Sequence, residues 1–249
     1  MTARPTTDGV VYVVAKAPRA GASKTRLCPP LGLEQAATLS RAFLLDTLTC
    51  AHRAGVLARV ICRDAEEQAA LEPVVGNLAS VRVQQGTGLG AALESAFSQG
   101  LREGFGAVGV LGSDCPTLPP HLLRQAYTAV EGGSDVALGP SADGGYYLLV
   151  ARALYPALFQ NMIWSTSTVA QTTLDRCAGA GLGVHLLPGW YDVDDAADLH
   201  RLREDLRRTS PSIARRTRAE LLQLDGLPAL AEALTEAVAR GHGSSKSRP

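Results

Sequence analysis

The sequence is poor in lysine, in net charge and in long apolar runs. Only three of its 24 basic residues are lysine, and 24 acidic residues balance them. A protein dedicated to nucleic acid needs a basic face for the phosphate backbone, so this balance predicts no nucleic-acid partner. The apolar runs are far shorter than the about 20 residues of a membrane helix, and the polar residues 1–8 lack the apolar core of a secretory signal. We therefore expect a cytoplasmic protein with no membrane partner.

The sequence also lacks the patterned cysteines and histidines of disulfide frameworks and zinc sites. Its five cysteines are scattered and never spaced as C-x-x-C, and its five histidines show no ligand spacing. This pattern is typical of reduced thiols that fill the core. With 46% hydrophobic residues in 249, the chain can build a large core, which excludes global disorder.

Apolar runs alternate with helical patterns along most of the chain. Residues 10–15 form a near-continuous β-branched run, as in a strand that is buried on both faces. Leu33–Ala54 repeats apolar residues at helical spacing and stops at Gly55, a plausible C-cap. The alternation predicts an α/β fold with a single doubly wound, mostly parallel sheet and helices on both faces. Further strands are predicted at 57–62, 81–84, 107–112, 136–139, 146–150 and 183–187, and further helices at 89–101, 119–130, 166–180 and 196–207.

The character of the chain changes near residue 209. Residues 1–208 carry the alternating pattern and are expected to form the main domain, whereas 209–240 form a C-terminal extension with two amphipathic helices, at 212–224 and 228–240. Residues 241–249 are small and polar and are expected to be a disordered tail. The extension could pack on the core or form a dimer surface, so a homodimer is left open.

A basic loop directly after the first strand holds two of the three lysines. It reads KAPRAGASKTRL from Lys16 onward. A small-residue loop in this position can bring backbone N–H groups to an anion, and a lysine ammonium is a compact charge suited to phosphate. The bland alternative is a solvated basic loop. We predict a nucleotide-phosphate site that includes Ala15, Lys16, Gly21, Lys24, Thr25 and Arg26.

Asp114 follows the apolar strand 107–112 in the sequence GSDCP. A strand that delivers one carboxylate to the sheet edge is typical of a site for nucleotide-bound Mg²⁺, since ligands lie beyond the carboxyl ends of parallel strands. A turn-capping role for Asp114 is the alternative. The neighbouring Ser113, and Gln85, Gly86 and Gly88 of the QGTGLG loop, are assigned to the nucleotide site, although a simple loop would also explain those three.

Further carboxylates follow later strands. Asp192 and Asp194 are predicted to project to one side of an extended segment, and Asp143 lies in a glycine turn that a plain hairpin would also explain. Several carboxylates at one sheet edge would repel one another unless a cation joined them. We therefore predict a divalent metal, Mg²⁺ or Mn²⁺, held by Asp114 with Asp192 and Asp194.

An acceptor site is predicted beside this metal. Its residues are Asp143, Gly144 and Gly145 of the glycine turn and Trp164, Ser165 and Thr166 of the later WST segment. Core packing would also explain Trp164, and a helix N-cap would explain Ser165 or Thr166.

These motifs resemble those of the radical-SAM/selenodomain-associated transferase family, a branch of the GT-A-like nucleotide-diphosphosugar transferase superfamily. The matching stretches are AKAPRAGASKTRLCPPLG, AAxLxRAFLLDTL, GSDCPTLP, GPSADGGYYLLV, WSTST and YDVDDAADL, and they span about residues 10–199. The basic loop also looks like the signature loop of sugar-phosphate nucleotidylyltransferases. The segment GPSADGGYY is similar to the D-G-G segment of phospholactate guanylyltransferases.

The resemblance implies a nucleotide-binding transferase domain over residues 1–208. Lys24 and Arg26 would bind nucleotide phosphates, Asp114 would ligate Mg²⁺, and Asp143 with Asp192 or Asp194 would complete the metal or acceptor site. Two departures are visible: Lys24 stands where sugar nucleotidylyltransferases have glycine, and the acidic-x-acidic triplet of metal-dependent glycosyltransferases is replaced by Ser-Asp-Cys at Asp114.

The leading functional prediction is nucleotidyl transfer from a nucleoside triphosphate to a phosphorylated small molecule, with Lys24, Arg26 and Asp114 as catalytic residues. The nucleophile is already an anion, so no general base is needed, and positioning with charge neutralisation suffices. The first alternative is glycosyl transfer from a nucleotide sugar, with Asp143 or Asp194 as base. The second is a non-catalytic member that only binds nucleotide.

Overall fold

The computed structural model describes residues 8–225, which fold around one seven-stranded sheet of order β3-β2-β1-β4-β6-β5-β7. The strands are β1 (Gly9–Val14), β2 (Leu57–Cys62), β3 (Ser80–Val83), β4 (Ala107–Gly112), β5 (Val136–Pro140), β6 (Tyr146–Ala151) and β7 (Val184–Leu186). All pairings are parallel except those of β6, which runs antiparallel to β4 and β5. The predicted single, mostly parallel sheet is confirmed.

Seven α-helices connect or follow these strands in the described part of the chain. They are α1 (Leu33–Ala54), α2 (Ala65–Val75), α3 (Gly88–Arg102), α4 (Pro120–Glu131), α5 (Val169–Gly179), α6 (Ala196–Arg208) and α7 (Arg215–Asp225). The predicted end of α1 is confirmed, with Gly55 in the left-handed conformation at φ 79°. The sequence analysis missed α2, which contains Pro73 and only three buried residues, so its apolar periodicity is weak.

The predicted start of α5 is wrong by three residues. That helix was predicted from residue 166 with Ser165 or Thr166 as N-cap, but it begins at Val169 after Thr168. Ser165 instead takes a left-handed conformation at φ 62°. The WST segment is therefore an independent loop in front of α5.

The helices cover both faces of the sheet, as predicted. On one face Val11 and Val13 of β1 pack in a cluster with Leu48 of α1 and Leu123 of α4. On the other face Val10 and Tyr12 of the same strand pack in a cluster with residues of α3 and α5. Successive side chains of a strand point to opposite faces, so an uninterrupted apolar strand supplies both layers.

The described part of the C-terminal extension packs against α1. Leu39 and Phe43 of α1 share a buried cluster with Leu221 of α7 and with residues of α6. The buried Asp46 of α1 accepts hydrogen bonds from the backbone N–H groups of Arg216 and Thr217, at 3.2 and 2.8 Å. The predicted second helix at 228–240 and the predicted tail at 241–249 lie outside the described residues. Among residues 8–225, no helix is long and apolar enough to cross a membrane.

Candidate functional site

Two cavities open at the edge of the sheet where the parallel strands β1, β2 and β4 end. The larger, which we call the basic cleft, has a volume of about 730 Å³. The smaller, which we call the acidic cavity, has a volume of about 230 Å³. Asp114, Val14 and Leu89 line both cavities, so the two meet at the carboxyl ends of β1 and β4.

The basic cleft collects positive charge from the loop after β1 and from the end of β2. Its cationic lining residues are Lys16, Arg19, Lys24, Arg26 and Arg63, against the carboxylates of Glu67, Asp114 and Asp194. Of the predicted nucleotide site, Ala15, Lys16, Lys24, Thr25, Arg26, Gly88 and Ser113 line it. Gly21, Gln85 and Gly86 are not among its lining residues. This is a cleft with the charge that a chain of linked phosphates requires.

Lys24 lies at the inner end of the cleft, next to Asp114. Its backbone is left-handed at φ 51° and precedes a single 3₁₀ turn at Thr25–Leu27. Its ammonium Nζ lies 2.9 Å from Oδ2 of Asp114 and 2.7 Å from Oδ1 of Asp194, and only 7% of the side chain is exposed. Burial acts to lower the pKa of Lys24, but the two carboxylates outweigh it and raise that pKa above its ordinary value. Lys24 is therefore a positive charge that links the segment after β4, which carries Asp114, to the segment before α6, which carries Asp194.

Arg19, another cation of the basic cleft, is paired with two glutamates of α2. Its guanidinium lies 2.8 Å from Oε1 of the buried Glu67 and 3.3 Å from Oε1 of Glu66. Glu67 also accepts a hydrogen bond from the backbone N–H of Ala17, so it ties α2 to the loop after β1. Lys16 and Arg26 form no ion pair with any described residue. The cations of the cleft thus differ in how much of their charge is already neutralised.

The acidic cavity gathers most of the predicted acceptor residues. Asp143, Gly145, Trp164, Ser165 and Thr166 line it, together with Asp114 and Asp192. The Oδ1 atom of Asp143 accepts a hydrogen bond from the Gly145 N–H at 2.8 Å, and Oδ1 of Asp192 accepts one from the Ser141 hydroxyl at 2.5 Å. Burial, with the nearby charges of Asp143 and Asp194, raises the pKa of Asp192. No lysine, arginine or histidine of residues 8–225 lines this cavity.

Gly144 shapes this cavity without lining it. Its backbone has φ +90°, and a Cβ there would lie 2.0 Å from the carbonyl oxygen of Ser167. Its own carbonyl accepts a hydrogen bond from the Ala170 N–H at 2.9 Å. Only glycine allows the WST loop to approach the glycine turn this closely. The loop in turn places Trp164 edge-on to Tyr146, with ring centroids 6.5 Å apart.

The three predicted metal ligands are divided between the two cavities. Asp194 lines the basic cleft, Asp192 lines the acidic cavity, and Asp114 lies where they meet. Within residues 8–225, no group of three or more His, Cys, Asp and Glu side chains is arranged to hold a metal ion. Mg²⁺ in nucleotide sites commonly takes one or two carboxylates, with phosphate oxygens and water completing its shell. The donor set of Asp114 and Asp194, which converges on one ammonium group, fits that requirement without a third carboxylate.

Other carboxylates and the thiol near the site have structural roles. Asp195 caps α6 by accepting the N–H groups of Ala197 and Asp198, and the Asp198 carboxylate accepts those of Asp194 and Asp195. Burial, with the charges of Asp192 and Asp114, raises the pKa of the Cys115 thiol well above its ordinary value. A thiol kept protonated in this way is a poor nucleophile.

The sequence analysis missed several residues of both cavities. Arg63 and Gln84, at the ends of β2 and β3, line the basic cleft, and Ser141 and Tyr146 line the acidic cavity. The common signal was available, because these residues follow or begin strands at the functional edge of the sheet. Arg63 and Gln84 lie outside the predicted motifs, whereas Ser141 and Tyr146 lie in the same GPSADGGYY segment as Asp143.

Comparisons with known proteins support the family and the fold of the chain. The profile of the family described as "Uncharacterized protein conserved in bacteria (DUF2064)" matches residues 47–166. A candidate nucleotide-diphospho-sugar transferase from Desulfovibrio desulfuricans G20 is 30% identical and superposes with a TM-score of 0.82, over 92% of this chain and 99% of that one. No curated protein sequence matches the chain.

More distant solved structures share the fold. A cytidylyltransferase from Leptospira borgpetersenii serovar Hardjo-bovis (strain JB197) is 12% identical with a TM-score of 0.54, over 90% of this chain and 96% of that one. A CMP:2-keto-3-deoxy-manno-octonic acid synthetase in complex with CTP is 14% identical with a TM-score of 0.50, over 80% and 98%. The chain therefore has the GT-A-like fold of nucleotide-diphosphosugar transferases, as the sequence predicted.

Proposed function

The chain belongs to the bacterial family DUF2064, and from its two joined cavities we propose that it is a metal-dependent nucleotidyltransferase. It would join an NMP from an NTP to a phosphorylated small molecule and release pyrophosphate. One observation carries the proposal: within residues 8–225, a cleft lined by five cationic side chains adjoins a small cavity lined by none, and Asp114 lines both. The triphosphate would lie in the cleft and the body of the acceptor in the small cavity.

Binding of the triphosphate would depend first on the cations of the cleft that form no ion pair within residues 8–225. Lys16 and Arg26 are available to phosphate oxygens, whereas Arg19 is paired with Glu66 and Glu67. The small-residue loop after β1 adds backbone N–H groups at the same sheet edge. The distant relatives described as a cytidylyltransferase and as a CMP:2-keto-3-deoxy-manno-octonic acid synthetase in complex with CTP are consistent with a nucleoside triphosphate in this cleft.

Asp114 and Asp194 would hold Mg²⁺ or Mn²⁺ together with phosphate oxygens, and the metal would neutralise charge on the triphosphate. Lys24 would then exchange part of its contact with the two carboxylates for contact with phosphate oxygens. The acceptor phosphate attacks the α-phosphorus, a new P–O bond forms, and the bond to the bridging oxygen breaks as pyrophosphate leaves with its electron pair. No general base is required, and neither cavity is lined by histidine.

Glycosyl transfer from a nucleotide sugar is the second candidate. The acidic cavity adjoins the cleft, and its carboxylates Asp143 and Asp192 could accept hydrogen bonds from a sugar or act as base on a hydroxyl. The relative from Desulfovibrio desulfuricans G20 is described as a candidate nucleotide-diphospho-sugar transferase, which is consistent with either reaction.

A thermal-shift panel separates the two reactions. The full chain is melted with ATP, GTP, CTP or UTP and with the matching NDP-sugars, each with and without Mg²⁺. A ligand that binds only the native state raises Tm by mass action, so no acceptor is needed. We expect a Mg²⁺-dependent rise with one triphosphate that exceeds the rise with its NDP-sugar.

A variant with Lys16 and Arg26 both replaced by alanine should lose that rise, whereas Arg102→Ala, at the end of α3 and outside the cleft, should keep it. A larger shift with one NDP-sugar would favour glycosyl transfer instead. A shift that survives the double replacement would contradict the assignment of the cleft.

A further inference from the structure

The acidic cavity limits what the body of the acceptor can be. The charged residues that line it within the described part of the chain are all carboxylates, Asp114, Asp143 and Asp192. Asp114 is paired with Lys24, but neither Asp143 nor Asp192 forms an ion pair with any residue in the range 8–225. Partly buried carboxylates without a counter-charge are unfavourable, so a ligand that supplies positive charge would bind there with a gain.

Three of the side-chain hydroxyls that line this cavity already donate to groups of the protein. The Ser141 hydroxyl donates to Asp192, that of Thr166 to the carbonyl of Ile163, and that of Tyr147 to the carbonyl of Pro188. Among residues 8–225, no asparagine or glutamine lines the cavity. Sugar hydroxyls both donate and accept, so they need donors from the protein as well as acceptors. An ammonium group donates only, which matches the carboxylates of Asp143 and Asp192.

Aromatic and aliphatic walls complete the cavity. Trp164 and Tyr146 meet edge to face, and Leu93, Val110 and Val169 form apolar wall beside them. The buried hydroxyl of Tyr146 has no hydrogen-bond partner among the described residues. Aromatic faces attract cations, and aliphatic walls suit short methylene chains. At about 230 Å³ the cavity is small, so the group that it holds is compact.

We propose that the acceptor is a phosphorylated amino compound, whose phosphate lies at Lys24 and Asp114 and whose positively charged amino group lies between Asp143 and Asp192. This inference rests on the proposed function, because that function puts the reacting phosphate of the acceptor at Asp114 and the rest of the acceptor in the acidic cavity. It names the acceptor class by charge: one phosphate at the junction, a short apolar body, and a cation at the far end.

Two probes of equal size test the charge preference. Isothermal titration of the full chain with Mg²⁺ compares 2-aminoethyl phosphate with 2-hydroxyethyl phosphate, which differ only in ammonium against hydroxyl. We expect the amine to bind at least about tenfold more tightly. Equal binding, tighter binding of the hydroxyl compound or of glucose 1-phosphate, or no binding of either probe at millimolar concentration would overturn the inference.

Isosteric variants assign the preference to the cavity. Asp143→Asn and Asp192→Asn keep an Oδ1 acceptor for Gly145 and Ser141 but remove the charge, so each should lower the amine preference to about threefold or less. Asp175→Asn removes one charge from an exposed position on α5 and should leave the preference unchanged. A preference that persists in both cavity variants would overturn the inference.

The two proposals fail in distinguishable ways. Pyrophosphate release is measured separately with each NTP and the amine acceptor. Amine preference in binding without pyrophosphate release would remove the nucleotidyl-transfer proposal and keep the cavity's charge preference. Pyrophosphate release with glucose 1-phosphate but not with the amine would keep the nucleotidyl-transfer proposal and remove the cavity's charge preference.

Discussion

The basic cleft and the acidic cavity share one edge of one sheet and yet have opposite charge. The cleft takes its cations mainly from the loop after β1, and the cavity takes its carboxylates from the segments after β4, β5 and β7. They meet at Asp114, where Lys24 joins it to Asp194. The difference shows that charge at this edge is sorted by strand position, although the chain as a whole is neutral.

The sorting has a simple consequence for chemistry. A ligand with several phosphates would be stabilised in the basic cleft only, and its reactive end would be directed to Asp114, where the cleft meets the acidic cavity. A negatively charged group would be repelled from the acidic cavity by its carboxylates. Four predictions test this contrast: three change a charge at the boundary, from the largest expected effect to the smallest, and the fourth changes the shape of the acidic cavity.

Asp114→Ala removes the carboxylate that both cavities share. We expect metal-dependent turnover to fall by at least about 100-fold, because charge neutralisation at the reacting phosphate is lost. Tm should change little, since within residues 8–225 the Asp114 side chain bonds Lys24 and the Ser113 hydroxyl alone, and its backbone carbonyl still accepts the Val193 N–H. Pyrophosphate release measures the first effect and thermal melting the second. Normal turnover in this variant would remove Asp114 from the site.

Lys24→Ala and Arg19→Ala compare two cations of the same cleft. Lys24→Ala should weaken nucleotide binding in the presence of Mg²⁺ by about tenfold or more, because the metal would take over Asp114 and Asp194 and leave the Lys24 ammonium to the phosphate oxygens. Arg19→Ala should change it by less than about twofold, because the Arg19 charge is already taken by Glu66 and Glu67. Titration with the nucleotide found by the thermal-shift panel gives both values. Equal, small effects would reduce the loop after β1 to a solvated turn.

Lys24→Met tests whether the ammonium competes with metal for Asp114 and Asp194. Without it the two carboxylates lose their counter-charge, so Mn²⁺ in the absence of nucleotide should bind about tenfold more tightly than to the unaltered chain. Electron paramagnetic resonance of free Mn²⁺ reports this binding without any turnover. Lys16→Met removes the same charge from the same cleft without an ion pair to either carboxylate, and should give a smaller gain. Equal gains would mean that only the net charge of the cleft matters.

Gly144→Ala should distort the wall of the acidic cavity. A Cβ would collide with the backbone of Ser167 at 2.0 Å, so we expect a loss of stability of about 2–4 kcal/mol and displacement of the WST loop. Gly133→Ala is the matched control, because Gly133 also has positive φ, +112°, but nothing lies within 4 Å of the added atom. That variant should cost only about 1 kcal/mol, from backbone strain alone. Denaturant melts measure both, and equal losses would show that the loop moves freely.

The sequence predicted the regular framework well, for a local reason. Strands buried on both faces, such as β1 and β4, need uninterrupted apolar runs, and α1 needs a glycine at its end. These signals lie within a few neighbouring residues. The helix that was missed, α2, has weak periodicity and an internal Pro73 and depends on tertiary contacts of its buried Leu71.

For the site, the sequence by itself determined which polar residues follow strand ends, because the apolar runs predict where each strand ends and the next loop begins. It identified Lys24, Asp114, Asp143, Asp192 and Asp194 as neighbours of one sheet edge, together with the loop that carries Trp164. Only the tertiary structure decided their partners. Lys24 and Asp194 are 170 positions apart and meet at 2.7 Å, while Asp192, two residues from Asp194, lines the other cavity. The physical reason is that the order of strands in the sheet, which no local pattern encodes, decides which loops become neighbours and hence which charges are paired.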